Sequence, residues 1–185
     1  GEQVIDLEHL ASHKGSAFGL LGMPEQPSQE QFENMLALEL EKIDPRIPVW
    51  LENESRLIGR IIIPPALFEL MRVMKVIEVM VSREQREVRI GNEYCIFDAE
   101  LLAHHTERIA KRLGPQHAKR AIELLHSGDK AAWLQIVLDY YDKTYTHSNQ
   151  QRDRNSISEV PFDWNEPEVG IRRMLNAKDK MIAVK

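Results

Sequence analysis

The chain has 185 residues, 43% hydrophobic and 29% charged, and its 24 basic against 29 acidic side chains leave a formal charge of −5. That balance excludes a protein wrapped over its whole surface by nucleic acid, while leaving room for a local basic patch. One cysteine, Cys95, excludes an internal disulfide and a Cys-rich zinc site, and no apolar run reaches the roughly 18 residues a membrane span needs, so a cytoplasmic location is expected.

Val4-Ile5 reads as a brief buried strand, with Asp6 to Ser12 as a turn of helix after it. The chain starts without methionine on the threshold of that strand, which suggests a piece of a longer protein. His13 to Pro27 is rich in Gly and Pro and reads as an irregular loop. Ser28 is a good N-cap with Gln31 as its capping-box partner, and Phe32, Met35, Leu36, Leu38 and Leu40 supply an apolar face to about Ile43, where Asp44-Pro45 stops the helix. Val49-Trp50-Leu51 is the second strand. Pro64-Pro65 opens a helix lined by Leu67, Phe68, Met71 and Met74. Val76 to Val81, nearly continuous in apolar residues, predicts a strand buried on both faces. Three short strands separated by helices predict an α/β fold with a parallel sheet.

After Ser82 the pattern turns helical: Glu84 to Ile90, Asp98 to Leu113 ended by Gly114-Pro115, Gln116 to Ser127 closed by Gly128, and Lys130 to Tyr141. The expected organisation is an α/β region over 1–90, an all-helical subdomain over 91–145, and a flexible tail over 146–185. In that tail Ser148 to Ser156 reads as a mobile linker and Glu168 to Lys178 as a short helix.

Open α/β sheets place ligand sites at the carboxyl ends of their strands. Glu52-Asn53-Glu54-Ser55-Arg56 follows the second strand. Glu52 and Glu54 suit a carboxylate pair holding a metal or a water, and Ser55 and Arg56 suit phosphate oxygens, arginine because its planar fork binds them bidentately. An ordinary solvated ion pair is the alternative. His13-Lys14-Gly15-Ser16 has the composition of an anion-binding nest or of a plain turn. Asp6 and Glu8 lie just past the first strand, placed to orient a metal or to favour a helix N-terminus.

Arg83, Arg86 and Arg89 share one side of a helix, which suits a lid over a polyphosphate or a face paired with Glu84 and Glu87. Lys111-Arg112 and Lys119-Arg120 suit a basic patch for RNA phosphates, or ordinary surface helices. Cys95, between Tyr94 and Ile96, reads as a buried small hydrophobe, and His104-His105 are adjacent and so cannot chelate from one helix face. No GxxxxGK[ST] loop is present.

Taken together, Asp6-Leu7-Glu8, His13 to Gly19, Gln26-Pro27-Ser28-Gln29, Phe32-Glu33-Asn34, Glu52 to Arg56 with Ile58-Gly59, and Pro64 resemble the carboxyl-terminal part of the bacterial tRNA 2-selenouridine synthases. Arg86, Arg89, Glu93-Tyr94, Lys111 to Gly114 and Tyr140-Tyr141-Asp142 extend the resemblance to about Tyr145. It implies a P-loop NTPase-like α/β domain that follows a rhodanese-like domain carrying the catalytic cysteine. It also implies an enzyme that replaces the sulfur of wobble 2-thiouridine in tRNA with selenium. Selenophosphate is then the donor, an S-geranylated intermediate is made from geranyl diphosphate, and Mg2+ is a candidate cofactor.

Against that pattern the rhodanese cysteine and the Walker A loop are absent from this sequence, so the chain alone is expected to be inactive. On that resemblance His13, Lys14, Gly15, Ser16, Glu52, Glu54, Ser55, Arg56, Arg86 and Arg89 are expected at the phosphate site, with Asp6, Glu8 and Glu52 orienting a metal and Lys111, Arg112, Lys119 and Arg120 facing tRNA. A non-catalytic RNA-binding module and a small-molecule kinase-like protein are the alternative functions.

Overall fold

Four side chains that precede helices each accept an otherwise orphaned amide: Asp6 from His9, Ser28 from Gln31, Ser82 from Gln85 and Asp98 from Leu101. These local choices set the starts of four helices in the computed structural model, which describes residues 1–150 and 152–183 apart from the side chains of Ser148 and Asn149. The chain divides into two units, Gly1–Val73 and Met74–Lys185.

The first unit runs β1 (Gln3–Val4), α1 (Leu7–Leu10), α2 (Gln29–Glu41), β2 (Val49–Trp50), β3 (Leu57–Ile58), β4 (Ile61–Ile62) and α3 (Pro65–Val73). β1 and β2 pair in parallel, Gln3 opposite Val49 and Val4 opposite Trp50, and the Ile5 amide donates to the Trp50 carbonyl at 3.0 Å. β3 and β4 form an antiparallel hairpin around Gly59-Arg60, which the sequence reading did not assign. The two small sheets share one core: Ile5, Leu7, Phe32, Leu36, Ile58, Ile61 and Ile63 are buried together with Ala11 and Met71. Of the apolar face expected on α2, Phe32 and Leu36 reach that core. Leu38 is exposed because a spacing of two from Leu36 turns a helical side chain away from the buried stripe, and Leu40, one turn beyond Leu36, is exposed at the carboxyl end of the helix.

The second unit runs β5 (Val76–Met80), α4 (Arg83–Tyr94), α5 (Ala99–Arg108), α6 (Ala110–Leu113), α7 (Pro115–His126), α8 (Lys130–Gln150), β6 (Ile157–Pro161) and α9 (Pro167–Ala183). From α4 to α8 it is wholly helical. α5, α7 and α8 pack around Leu102, Ala121, Leu125, Trp133 and Val137, with the Trp133 indole N–H donating to Thr106 Oγ1 at 3.0 Å.

Two expectations are corrected here. Val76–Met80 is not buried on both faces: it pairs in parallel with β6 over five residues, and Val79 and Met80 stay exposed. The run of β-branched residues specifies a strand but cannot say how many neighbours cover it. The segment 146–185, expected as a loose tail with a short helix, holds that partner strand and the long helix α9. Its composition is polar, yet the β5 backbone supplies hydrogen-bond partners from about 80 residues upstream. The expected linker is partly taken up by α8, which runs to Gln150, and by a 3-10 turn at Arg154–Ser156; Gln151 of that linker lies outside the described residues, as do Val184 and Lys185 at the end of the tail. Among the described residues no helix is long and apolar enough to cross a membrane.

Candidate functional site

Parallel pairing of β1 with β2 brings their carboxyl ends side by side, so the acids that leave each strand meet. Glu52 accepts the Leu7 amide at 3.0 Å and lies 3.5 Å from that of Glu8, capping the amino end of α1 from outside. Its carboxyl also reaches Asp6. Burial pushes the Glu52 carboxyl above the ordinary glutamate range, the Leu7 amide opposes that, and the nearby Asp6 carboxyl adds to it. Glu54 is raised as well, first by burial and then by the Glu52 charge, against a contact with Glu8 that lowers it.

The second expected loop closes on the same place. Gly15 sits at φ +66°, and a Cβ built on it would lie 2.3 Å from Glu54 Oε1, so the glycine lets the carboxylate rest on its backbone. His13 is buried, its Nδ1 accepting the Gly15 amide at 3.1 Å and its ring wedged against Gly19 and Gly59. Expected as a phosphate ligand, the ring instead shapes the loop from below. Gln26, also buried, donates to the Ala11 and Ile58 carbonyls at 3.0 and 2.9 Å and accepts the Arg60 amide at 2.9 Å, tying the loop to the β3–β4 hairpin. No simple pattern marks His13 and Gln26 as keystones; the paired glycines 19 and 59 are the one local sign that something large approaches the backbone.

Structure therefore brings together Asp6, Glu8, Gly15, Glu52 and Glu54. Ser16 Oγ accepts the Phe18 amide at 3.2 Å, and Lys14 Nζ approaches the Leu21 carbonyl at 3.4 Å. Ser55 donates to the Leu57 carbonyl at 2.8 Å. Arg56 is exposed, and its guanidinium makes no ion pair among the described residues. The centre of the site is thus more acidic than the expected anion cradle, because both glutamates turn inward to amides and backbone rather than outward.

Folded Glu52 and Glu54 hold protons more tightly than they do in the unfolded chain. Their contribution to stability is fully present below the ordinary glutamate value of about 4.3 and is lost as pH rises through the raised folded values. Glu54→Gln removes one charge from the group and is expected to stabilise the chain at pH 7 by up to about 1 kcal/mol, with a flatter pH dependence above about 4.3. Urea unfolding at a series of pH values checks this; an unchanged slope contradicts the arrangement.

Among the described residues no three His, Cys, Asp or Glu side chains are grouped to hold a metal ion. Glu52, with its oxygens turned to the Leu7 and Glu8 amides, is already spoken for. The carboxylates accordingly do not fit a protein-built Mg2+ cage.

Arg86 and Arg89 lie in the second unit and are engaged there. Arg86 forks onto Asp142 of α8 at 2.5 and 3.0 Å, holding that carboxyl below the ordinary aspartate range. Arg83 joins them, 2.7 Å from Glu87, 2.9 Å from Asp139 and 3.1 Å from Asp142. The Arg89 guanidinium stacks 3.9 Å over the Trp164 ring. An arginine stripe expected as a polyphosphate lid serves to fasten α4 to its neighbours. Lys111 and Arg112 are exposed on α6, and Lys119 and Arg120 on α7, where Arg120 is 3.7 Å from Glu123. Cys95 is half-buried, and burial raises its thiol.

Residues 1–163 match the family described as tRNA 2-selenouridine synthase AAA domain, in agreement with the P-loop NTPase-like α/β class. Among curated proteins named tRNA 2-selenouridine synthase, the one from Cupriavidus pinatubonensis is 31% identical over 80% of this chain and 49% of its own length. That from Shewanella halifaxensis is 34% identical over 83% of this chain and 50% of its own. The protein from Nitrosomonas eutropha is 42% identical over 50% of this chain and 24% of its own. This chain spans about half the length of the first two. No solved structure matches it. A match covering nearly the whole chain, including both strand-end loops, means that the protein belongs to the tRNA 2-selenouridine synthase AAA-domain family.

Proposed function

We propose that this chain is the phosphate-handling part of an enzyme that converts wobble 2-thiouridine in tRNA to 2-selenouridine. Selenophosphate supplies the selenium, and geranyl diphosphate supplies the group carried by an S-geranylated intermediate. The observation that carries this reading is the family match over residues 1–163. The catalytic cysteine belongs, on the same reading, to an amino-terminal rhodanese-like domain of the longer protein.

Both small substrates are phosphorylated, and electrostatic positioning of such groups is what the site's loops can contribute. Arg56 offers an exposed guanidinium at the end of the Glu52–Ser55 segment, and Ser16 retains a hydroxyl proton to donate. Lys14 lies in the same loop. The inward-turned glutamates shape the floor, Glu52 on the Leu7 amide and Glu54 against Gly15.

Arg56→Ala in the full-length enzyme is expected to lower 2-selenouridine formation about tenfold, equivalent to roughly 1.4 kcal/mol, with Arg56→Lys keeping part of it. Mass-spectrometric analysis of the wobble nucleoside reads the result, and unaltered turnover refutes the assignment. A second reading, a non-catalytic RNA-binding module, is favoured by the exposed basic residues of α6 and α7.

A further inference from the structure

α6 and the start of α7 stand beside one face of α8, leaving a cleft of about 440 Å³ within the second unit. Small-ligand sites typically run from about 300 to 1,000 Å³. Arg112 and His117 line one wall and Tyr140, Lys143 and His147 the other. On α8 the residues at 136, 139, 140, 143, 144 and 147 recur at three- and four-residue steps, so one helix face presents them all.

Charge makes this cleft unusual in a chain of formal charge −5. Neither Arg112 nor Lys143 makes an ion pair or side-chain hydrogen bond among the described residues. The one acid on the wall, Asp139, is held by Arg83 at 2.9 Å. Two cations are thereby left uncompensated in a concave wall, where low-dielectric surroundings focus their field, and two imidazoles beside them add hydrogen-bonding groups.

We infer that the Arg112–Lys143 cleft between α6–α7 and α8 is the RNA-docking site of this chain, holding the phosphodiester backbone of tRNA. The inference rests on the tRNA reading above for its choice of polyanion, and it relocates the contact from the outer faces of α6 and α7 to their inner edge. Lys143 and His147 come from a part of the sequence that shows no basic pair, so the pattern of basic pairs alone does not find them.

Fluorescence anisotropy of labelled tRNA with the intact chain, across about 50 to 200 mM salt, tests it. Arg112→Ala with Lys143→Ala is expected to weaken binding at least about tenfold at the lower salt and to reduce the slope of log affinity against log salt by about 2, nearly 1 for each lost phosphate contact. Arg112→Lys with Lys143→Arg restores the slope. Lys42→Ala with Arg46→Ala, which removes equal charge elsewhere, leaves it unchanged. Far-ultraviolet circular dichroism confirms that each variant is folded.

Wild-type affinity in the double variant overturns the proposal. So does the absence of tRNA binding by the chain, or a loss that follows Lys119 and Arg120 instead. Equal affinity for a polyglutamate peptide with the same variant dependence also overturns it, since the cleft would then be a general polyanion surface. If the cleft fails while the full-length enzyme still makes 2-selenouridine, the tRNA reading stands without it; if the full-length enzyme makes none, that reading itself falls.

Discussion

Replacing Gly59 with alanine is expected to destabilise the chain by about 4–5 kcal/mol and to lower its melting temperature by roughly 10 °C. Gly59 is the first central residue of the β3–β4 turn, at φ +62°, a conformation two-residue hairpin loops reserve for glycine. A side chain there costs about 1–2 kcal/mol in backbone strain alone. Space is the second term. A Cβ would stand 2.2 Å from Gln26 Oε1 and 2.6 Å from His13 Cδ2, and neither side chain has room to retreat because both are buried. Displacing Gln26 breaks its bonds to the Ala11 and Ile58 carbonyls and the Arg60 amide, at about 1 kcal/mol each in net terms. The loop carrying Lys14 and Ser16 hangs from the same two side chains, so the variant is also expected to lose phosphate-site order. A melting point within about 2 °C of wild type would mean that the keystone arrangement is wrong.

Trp133→Ala is expected to cost about 3–5 kcal/mol, the largest effect of any single substitution in the second unit. Its side chain is fully buried among α5, α7 and α8, and removing it leaves a cavity that rigid helices fill only in part. The indole N–H donates to Thr106 Oγ1, which donates in turn to the Leu102 carbonyl at 2.8 Å. Trp133→Phe keeps most of the volume and is expected to cost about 1–2 kcal/mol, part of it from the lost bond to Thr106. Adding Thr106→Val to Trp133→Phe should cost less than the two separate changes summed, since the hydroxyl has already lost its donor. Denaturant midpoints of the four proteins check this cycle, and strict additivity would sever the indole from the hydroxyl.

Much of the fold was legible because its signals are local. Ser28 and Gln31, Pro64-Pro65, Gly114-Pro115 and Gly128 each act within one turn of chain, and the helices they predict are present to within a few residues. The site was half legible. Strand-end acids after Val4-Ile5 and Val49-Trp50 were recognisable as neighbours once parallel pairing was assumed, and Glu52 does meet Asp6 and Leu7. Their direction was not, because a carboxylate beside open helix amides has the same sequence whether it turns toward them or toward a ligand.

Sequence by itself determined the α/β class, the starts of most helices and the family, since capping, proline placement and ordered motifs need no knowledge of distant residues. Tertiary structure alone decided that β5 takes its partner from Ile157–Pro161, that Arg86 spends its charge on Asp142, and that His13 lies under its loop instead of facing an anion. Each of those pairs residues separated in the chain or chooses among several polar partners of similar energy. Burial and geometry break that tie, and both exist only after the chain has folded.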